Sequence, residues 1–353
     1  MSEAIPSTRR AFRRTDDFTQ GSAKVKLVTE NLPASLPPTS VLIKVHTISL
    51  NYRDANIANG GNPWPVIPYG IPCNDAAGEV VAAGSRTINL KVGDRVAPIV
   101  DTENLTGREN ARSWLAADED GVLADYLVFD ERKVSRLPSY LSWEEACLIP
   151  CAGVTAWSAL KGVGFGQSVL IQGTGGVSMF ALKLARASGL RAIVTSSSDK
   201  KMKALQDRYS NPPLSTVNYA TYPEWHRKVL EITNGVGVDL VIEVGGSQTL
   251  IESLKSTRRG GVISQVGYLG KQNAKDLDEL VPLLIDRRVN LSVSRGINAG
   301  SKQDLDDLCD AMSAVEMHLD DIIDFRFPFD DADEAIEYVW QGKQVGKVVV
   351  EVD

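Results

Sequence analysis

Residues 168–187 follow the order of a strand, a glycine turn and a helix, and this order constrains the fold more than any other part of the chain. The pattern predicts a buried strand over residues 168–172 and a helix over 177–187. Glycines in such a turn let the backbone approach a pyrophosphate, and the amides at the helix start bind its charge. The residues predicted to bind a dinucleotide here are Gly173, Gly175, Gly176 and Val177.

The alternation of strands and helices continues beyond the glycine turn. Further strands are predicted at residues 191–195, 239–244 and 261–266, and further helices at 199–206 and 248–256. This alternation of strands and helices predicts a parallel, doubly wound sheet. The alternation is predicted to end after Val289. Ser178 replaces the third glycine of the usual motif, so a strand-to-helix turn without a ligand is the alternative interpretation.

The first part of the chain has the pattern of a β-rich domain. Alternating or continuous apolar residues predict strands at 41–48 and 78–83. Four prolines within residues 63–72 exclude a helix interior and predict an extended loop that carries Trp64. The polar segment 101–121 is predicted to be a surface loop.

Both ends of the chain are predicted to build one domain. Ser142 is placed to cap a helix that continues through small and apolar residues to Leu160. Helices at 304–315 and 332–340 and a strand at 347–352 close the chain. The predicted organisation is a β-rich domain from residues 1–150 and 297–353, with an α/β domain from 151–296 inserted between them.

The bulk composition excludes several classes of protein. A chain of 353 residues is too long for one ordinary core, so two domains are expected. The net charge of −7 argues against nucleic acid as a partner. No apolar run suits a membrane span or a secretion signal, so we expect a cytoplasmic protein with reduced cysteines that acts on a small molecule. A transit peptide is the alternative, because arginines lie at positions 9, 10, 13 and 14.

The choice of cofactor is predicted from the end of the strand that follows the glycine turn. An NAD-binding protein would present an acidic residue there, whereas this chain has hydroxyl and ammonium groups, which suit a 2′-phosphate. The residues predicted to bind NADP(H) in this way are Ser196, Ser197, Ser198, Lys200 and Lys201. A serine-rich turn that caps the next helix is the alternative, and both interpretations can hold together.

Several ordered motifs resemble the medium-chain dehydrogenase/reductase family, specifically its zinc-less, quinone-oxidoreductase-like branch. The resemblance covers nearly the whole chain. Besides the glycine turn, the motifs lie at residues 49–54, 72–80, 93–96, 151–157, 295–297 and 346–349. The resemblance implies a GroES-like β-rich catalytic domain, a doubly wound Rossmann domain and a homodimer.

The resemblance also bears on metal binding. Zinc-dependent members of the family would have a cysteine at the position of Asn51 and a histidine at that of Asn74, while Cys151 keeps the third ligand position. A catalytic zinc site normally needs three protein ligands, and one thiolate cannot hold the metal. Cys73 lies beside Asn74, but the histidines have no ligand spacing with it. We therefore predict no metal site.

Roles for further residues are implied by the same resemblance. Asn51 is expected near the nicotinamide ribose, Tyr52 is the nearest acid with a hydroxyl, and Asn74 could donate from its amide. The alternative for Tyr52 is a half-buried aromatic side chain without a catalytic role. Other positions that match cofactor contacts of the family are Thr155, Tyr219, Gly245, Tyr268 and Arg295.

Without zinc, hydrogen-bond donors must stabilise the negative charge that develops on the substrate oxygen during hydride transfer. This requirement favours substrates in which the charge delocalises. We therefore predict an NADPH-dependent reductase of enones or quinones. The alternatives are a zinc-less alcohol dehydrogenase or ketone reductase, and an NADPH-binding sensor or interaction protein without redox activity.

Overall fold

The computed structural model describes residues 6–267, 272–292 and 299–352. The chain divides into two compact units. Met1–Val154 and Ala299–Asp353 form the β-rich unit, and Thr155–Asn298 form the α/β unit. None of the helices in the described part of the chain is long and apolar enough to span a lipid bilayer.

The β-rich unit begins with a two-stranded antiparallel sheet and continues into a larger sheet. Its first elements are β1 Thr8–Arg14, β2 Val25–Asn31, β3 Ser40–Leu50, α1 Tyr52–Ala58, β4 Asp75–Ala83, β5 Arg95–Pro98, β6 Tyr126–Asp130, β7 Val134–Arg136 and α2 Trp143–Ala146. Strand β3 is buried along most of its length because it pairs with neighbours on both edges. Helix α2 begins where Ser142 and Glu145 cap each other's backbone amides.

The α/β unit contains one six-stranded parallel sheet. Its elements are α3 Val154–Leu160, which starts at the unit boundary, β8 Ser168–Gln172, α4 Gly176–Ala187, β9 Arg191–Ser196, α5 Asp199–Arg208, β10 Ser215–Asn218, α6 His226–Ile232, β11 Val238–Glu243, α7 Ser247–Ser256, β12 Thr257–Gln265, α8 Leu280–Arg287 and β13 Asn290–Ser292. The strand order is β10-β9-β8-β11-β12-β13. The order reverses between β8 and β11, and ligands of such sheets bind at the carboxyl ends beside this point.

The last part of the chain completes the β-rich unit with α9 Lys302–Ala314, β14 Ile323–Pro328, α10 Ala332–Trp340 and β15 Lys347–Glu351. The larger sheet has the order β14-β15-β3-β4-β5-β7, and β6 also pairs with β3. Strands β15 and β4 both run antiparallel to β3. The first residues of β15 and β4 therefore lie at the edge where β3 ends.

The predicted fold class, a GroES-like β-rich domain with a doubly wound α/β domain, is confirmed. Strand β8 and helix α10 have the predicted bounds. Most other predicted elements agree within a few residues. These elements were predictable because apolar periodicity and capping residues are local properties of the sequence.

Three local predictions were wrong. The alternation does not end after Val289, because the short strand β13 adds a sixth strand to the sheet. The helix predicted through Leu160 is interrupted, since α2 ends at Ala146 and a π-helical turn over Ile149–Gly153 precedes α3. Pro150 lies in the first turn of that π-helical segment, where a missing amide hydrogen is tolerated.

The third correction concerns residues 101–121, which are not simply a surface loop. The tip of the segment is exposed, but residues 114–117 are buried. Trp114 packs edge-on against Trp64, with ring centroids 5.9 Å apart, and the Arg112 guanidinium lies 4.1 Å from the Trp114 ring centre. The polar composition of residues 101–121 predicted an exposed loop. Composition alone does not show that part of this loop folds back onto the β-rich unit.

The arginines near the start of the chain belong to strand β1 in the structure. Arg9 and Arg13 form ion pairs with Glu30 on the neighbouring strand β2. Arg14 is only 2% exposed, and its guanidinium donates to the carboxylate of Asp16 at 3.0 Å. These three arginines of β1 therefore form ion pairs with other residues of the β-rich unit.

Candidate active site

Three adjacent strands bring Lys347, Asn51 and Asp75 to one edge of the larger sheet. Asn51 follows the end of β3, whereas Asp75 and Lys347 are the first residues of β4 and β15. The strand register pairs Ser49 with Asp75 and Leu50 with Val348. The three side chains therefore meet although they are far apart in sequence.

These side chains form a closed hydrogen-bond network together with Asn74. The Lys347 ammonium donates to Asn51 Oδ1 at 2.7 Å, to the Leu50 carbonyl at 2.9 Å and to Asp75 Oδ2 at 3.3 Å. Asn51 Nδ2 donates to Asp75 Oδ2 at 2.8 Å and to Asn74 Oδ1 at 3.0 Å. We call Lys347, Asn51, Asp75 and Asn74 the amide network.

Three members of the amide network are buried, and the fourth, Asn51, is partly exposed. Asn74 and Asp75 are 0% exposed, and Lys347 is 2% exposed. Burial raises the pKa of Asp75, while the Lys347 ammonium and the Asn51 amide oppose that rise. Asn74 Nδ2 is buried and has no hydrogen-bond partner among the residues that the structure describes. A buried donor without a partner is costly, so this atom is a candidate contact for a substrate oxygen.

Asp54 lies directly beside the amide network. Its Oδ2 accepts a hydrogen bond from the Asn51 backbone amide at 2.7 Å, and the two residues form a capping box at the start of α1. Asp54 is fully buried, and burial raises its pKa from 3.8 to about 6. This carboxyl group therefore changes its charge close to neutral pH.

The structure places Tyr52 at the surface of the β-rich unit, with 36% of the residue exposed. Its ring stacks on Trp340 of α10, with centroids 6.2 Å apart and planes at 21°. Burial of part of the side chain raises the pKa of Tyr52 above its usual value of 10.0. The hydroxyl is therefore protonated at neutral pH and can donate a hydrogen bond.

Burial of the thiols near the amide network outweighs the cations around them, Lys347 and Arg53, which favour a thiolate. Burial raises the pKa of Cys151 to about 12 and raises that of Cys73 well above 9.0. The Cys151 backbone amide donates to Asp75 Oδ1 at 2.5 Å. Across the described ranges, no group of three or more His, Cys, Asp and Glu side chains is arranged to hold a metal ion.

The predicted glycine turn lies at the carboxyl end of β8, beside the point where the strand order of the α/β unit reverses. Gly173 has a φ of 76°, a conformation that glycine adopts without strain. Gly175 is the N-cap of α4 and offers no side chain to the first amides of that helix. A Cβ atom at Gly175 would meet no protein atom within 4 Å. The start of α4 is therefore open to a phosphate group.

Ser178, which replaces the third glycine, is accommodated within the α/β unit. Its hydroxyl is buried and donates to the Gln172 carbonyl at 2.6 Å, so it satisfies a backbone group at the end of β8. The departure from the glycine motif therefore leaves the turn and the helix start intact.

The residues predicted to bind the 2′-phosphate lie at the end of β9 and the start of α5. Ser196 is buried, whereas Ser197 and Lys200 are exposed. Ser198 Oγ accepts from the Lys201 backbone amide at 3.3 Å and caps α5, as the alternative interpretation expected. The Tyr219 amide donates to the Ser196 carbonyl at 3.1 Å, which brings Tyr219 beside the serines.

Sequence reasoning missed the support of the loop that contains Gly245. Glu243 at the end of β11 is 0% exposed, and its Oε1 accepts from the amides of Gly245 at 2.8 Å and Gly246 at 3.1 Å. Its Oε2 accepts from Gln172 Nε2 at 2.6 Å, across the point where the strand order reverses. The one available signal was an acidic residue two positions before a glycine pair, Gly245 and Gly246.

The remaining predicted cofactor contacts are Thr155, Tyr268 and Arg295. Thr155 is buried within α3, at 3% exposure. Tyr268 and Arg295 lie outside the described residues.

Comparisons with known proteins agree with this geometry. Residues 37–139 match the alcohol dehydrogenase GroES-like domain, and residues 176–314 match the zinc-binding dehydrogenase family. A zinc-type alcohol dehydrogenase-like protein of Schizosaccharomyces pombe is 36% identical over 96% of this chain and 98% of its own length. A quinone oxidoreductase of Pseudomonas aeruginosa is 28% identical over 70% of each chain.

The fold is also found among solved structures. A Sinorhizobium meliloti protein described as an alcohol dehydrogenase is 29% identical, with a TM-score of 0.85 over 99% of this chain and 100% of that chain. The motifs, both domain matches and the full-length relatives point to one family. The chain is an oxidoreductase enzyme that belongs to the medium-chain dehydrogenase/reductase superfamily.

Proposed function

We propose that the protein is a zinc-independent, NADPH-dependent reductase of conjugated carbonyls or quinones. The observation that carries this proposal is the hydrogen bond from the Lys347 ammonium to Asn51 Oδ1, at 2.7 Å. Asn51 occupies the position at which zinc-dependent members would have a cysteine ligand. Because a lysine cation is already bonded to the only oxygen of that side chain, the position suits a hydrogen-bond network better than Zn²⁺.

The other two ligand positions support the same proposal. Asn74 Oδ1 accepts from Asn51, and its free Nδ2 is a hydrogen-bond donor that cannot bind a cation. Cys151 then supplies the one sulfur of the three positions. A catalytic zinc ion normally needs three protein ligands, so these residues do not fit the metal.

Asn74 supplies the donor that a reduction without metal requires. A bound NADPH would supply the hydride, and the substrate oxygen would gain negative charge as a result. We assign Asn74 Nδ2 to that oxygen, because a pre-positioned donor in a buried site stabilises charge as it develops. Tyr52 is the proposed proton donor of the β-rich unit. One amide stabilises charge less strongly than a Lewis acid, which favours acceptors in which the charge delocalises.

The α/β unit supports NADPH as the cofactor. The open start of α4 suits the pyrophosphate, and the glycines leave room for it. The hydroxyl of Ser197 and the ammonium of Lys200 are exposed at the end of β9, where no acidic side chain takes the place expected for NAD. These groups are suited to a 2′-phosphate.

A zinc-less alcohol dehydrogenase or ketone reductase is the second candidate. It is favoured by the names of the Schizosaccharomyces pombe relative and the Sinorhizobium meliloti structure, both of which refer to alcohol dehydrogenases. The two candidates share the cofactor and the donor but differ in the acceptor that is reduced.

A substrate panel tests the proposal and separates the two candidates. Oxidation of NADPH would be followed optically with cyclohexenone, benzoquinone and cyclohexanone, before and after treatment with a zinc chelator. We expect the enone or the quinone to be reduced faster than the ketone, without an effect of the chelator. Turnover of cyclohexanone alone would favour the second candidate. Stoichiometric zinc that activity requires, or a firm preference for NADH, would refute the proposal.

A further inference from the structure

Two buried charged residues, Lys347 and Asp75, are connected to the Asn74 amide through Asn51. We propose that Lys347 and Asp75 are positioning residues that orient the Asn51 amide and, through it, present Asn74 Nδ2 to the substrate oxygen. This inference rests on the proposed function, since it explains how the donor of that reaction is oriented.

The first step is the contact between Lys347 and Asn51. A lysine ammonium has three donors and no acceptor, so only an oxygen can lie at hydrogen-bond distance from it. The atom of Asn51 that lies 2.7 Å from Lys347 Nζ must therefore be Oδ1. The remaining two ammonium hydrogens have acceptors in the Leu50 carbonyl and in Asp75.

The second step is the contact between Asn51 and Asp75. Both oxygens of Asp75 face donors, namely the Cys151 backbone amide, Asn51 Nδ2 and the Lys347 ammonium. A carboxyl group surrounded in this way acts as an acceptor at both oxygens. Lys347 and Asp75 thus fix opposite ends of the same amide. Reversal of the Asn51 side chain would place its NH₂ group against an ammonium and its oxygen against a carboxylate.

The third step transfers this orientation to Asn74. One hydrogen of Asn51 Nδ2 is directed to Asp75, and the second is directed to Asn74 Oδ1 at 3.0 Å. Because Asn74 must present its oxygen to Asn51, its Nδ2 is left as the free end. A reversed Asn74 would present an oxygen to the substrate oxygen, and the two would repel each other as charge developed.

The members of the amide network therefore have different roles in the proposed reaction. Asn74 contacts the substrate, whereas Lys347 and Asp75 act through Asn51 and do not need to contact it. All three are essentially buried, so the low dielectric of their surroundings strengthens the preference for one orientation.

A double-mutant cycle in kcat tests whether Lys347 acts through Asn74. The variants are Lys347→Met, Asn74→Ala and the double variant, each assayed with NADPH and the best acceptor of the substrate panel. We expect kcat to fall about 100-fold for Asn74→Ala and about 10-fold for Lys347→Met. The double variant should fall no further than Asn74→Ala alone, because Lys347 has nothing left to orient. Losses that multiply to about 1000-fold would overturn the inference, since they would mean independent effects.

Folding and rescue controls accompany the cycle. NADPH affinity and the thermal midpoint are measured for every variant, because a purely structural loss would change both together with kcat. Lys347→Gln keeps a donor without the charge, and we expect it to retain more of kcat than Lys347→Met. Equal losses of kcat for Lys347→Gln and Lys347→Met would count against orientation of Asn51 by a hydrogen-bond donor at position 347.

The cycle also separates failure of the inference from failure of the proposed function. If kcat falls for Asn74→Ala but not for Lys347→Met, the inference is overturned while the proposed function stands. If Asn74→Ala leaves kcat unchanged, the donor role in the proposed function is wrong and the inference fails with it.

Neutron diffraction from the perdeuterated full-length protein gives a readout that does not depend on activity. Deuterons distinguish Nδ2 from Oδ1, which X-ray density does not. We expect deuterons on the Asn51 atom that faces Asp75 and on the Asn74 atom that faces away from Asn51. Deuterons on the Asn51 atom that faces Lys347 would overturn the inference, whatever the kinetics show.

Discussion

The buried carboxyl group of Asp54 should make the stability of the β-rich unit depend on pH, and Asp54→Asn isolates its contribution. Burial raises its pKa from 3.8, the ordinary value that an unfolded chain would show, to about 6 in the folded protein. The folded state therefore binds the proton more tightly. The contribution of Asp54 to stability is fully present below pH 3.8 and is lost as the pH rises through 6.

The magnitude follows from the difference between the two pKa values. Each pKa unit corresponds to about 1.4 kcal/mol, so ionised Asp54 costs the folded protein about 3 kcal/mol at pH 7 and above. The group is fully buried, so solvent screening requires no large discount. Asparagine resembles the protonated acid, because it offers an oxygen to the Asn51 amide and a donor at the other atom.

The assay is urea-induced unfolding at a series of pH values for the wild type and Asp54→Asn. We expect the two proteins to be similarly stable near pH 4 and the variant to be about 3 kcal/mol more stable at pH 7. Asp130→Asn is the matched control of opposite sign, because hydrogen bonds from Arg132 lower the pKa of Asp130 to about 2. Parallel pH profiles for the wild type and Asp54→Asn would refute the reasoning.

Three further predictions concern the α/β unit. Gly175→Ala should leave thermal stability unchanged, because its Cβ would meet no protein atom within 4 Å, but should weaken NADPH binding at least about 10-fold by occupying the phosphate space. Glu243→Gln should destabilise the unit by about 2 kcal/mol or more in urea unfolding, because an amide hydrogen would face the buried donors that now bond to the carboxylate. Lys200→Glu combined with Lys201→Glu should raise KM for NADPH about 10-fold or more and leave KM for NADH nearly unchanged, in steady-state assays with each cofactor.

The cofactor prediction has a control variant, and the other two predictions have outcomes that would contradict them. Lys203→Glu makes half of that charge change on helix α5, where Lys203 pairs with Asp207, and should not alter the preference between NADPH and NADH. An effect of Lys203→Glu half as large, in free energy, as that of the double variant would show that only the net charge matters. Equal loss of stability and of NADPH affinity in Gly175→Ala would contradict the open space assigned to the turn, and a fully stable Glu243→Gln would contradict the bracing role of that carboxylate.

The parts of the fold that the sequence predicted are those whose causes are local. The strand before the glycine turn and the cap at Ser198 each depend on residues a few positions apart. The open helix start at Gly175 is equally local, since an N-cap without a side chain is visible in the sequence. The same reasoning missed β13, because three residues are too few for a period-two pattern to appear.

The central feature of the candidate site could not be predicted in this way. Lys347 and Asp75 are 272 positions apart, and nothing near either residue indicates that they meet. A lysine at the start of a strand ordinarily predicts an exposed end, and only the pairing of β15 and β4 with β3 places it inside the unit. Motif matching therefore singled out Asn51 and Asn74 but not the charged pair that is hydrogen-bonded to Asn51.

The charges of the amide network suggest why the proposed substitution of a metal by amides is chemically balanced. A zinc ion held by two thiolates and a neutral histidine has no net charge, and neither does a Lys347 ammonium paired with an Asp75 carboxylate and two neutral amides. In the proposed mechanism, one oriented hydrogen bond replaces a cation in contact with the substrate oxygen as the means of stabilisation. A hydrogen bond acts only along its own direction, so the amide must be held in place before the substrate arrives. On this proposal, a buried ion pair behind Asn51 is required because the donor at Asn74 has no metal to fix it.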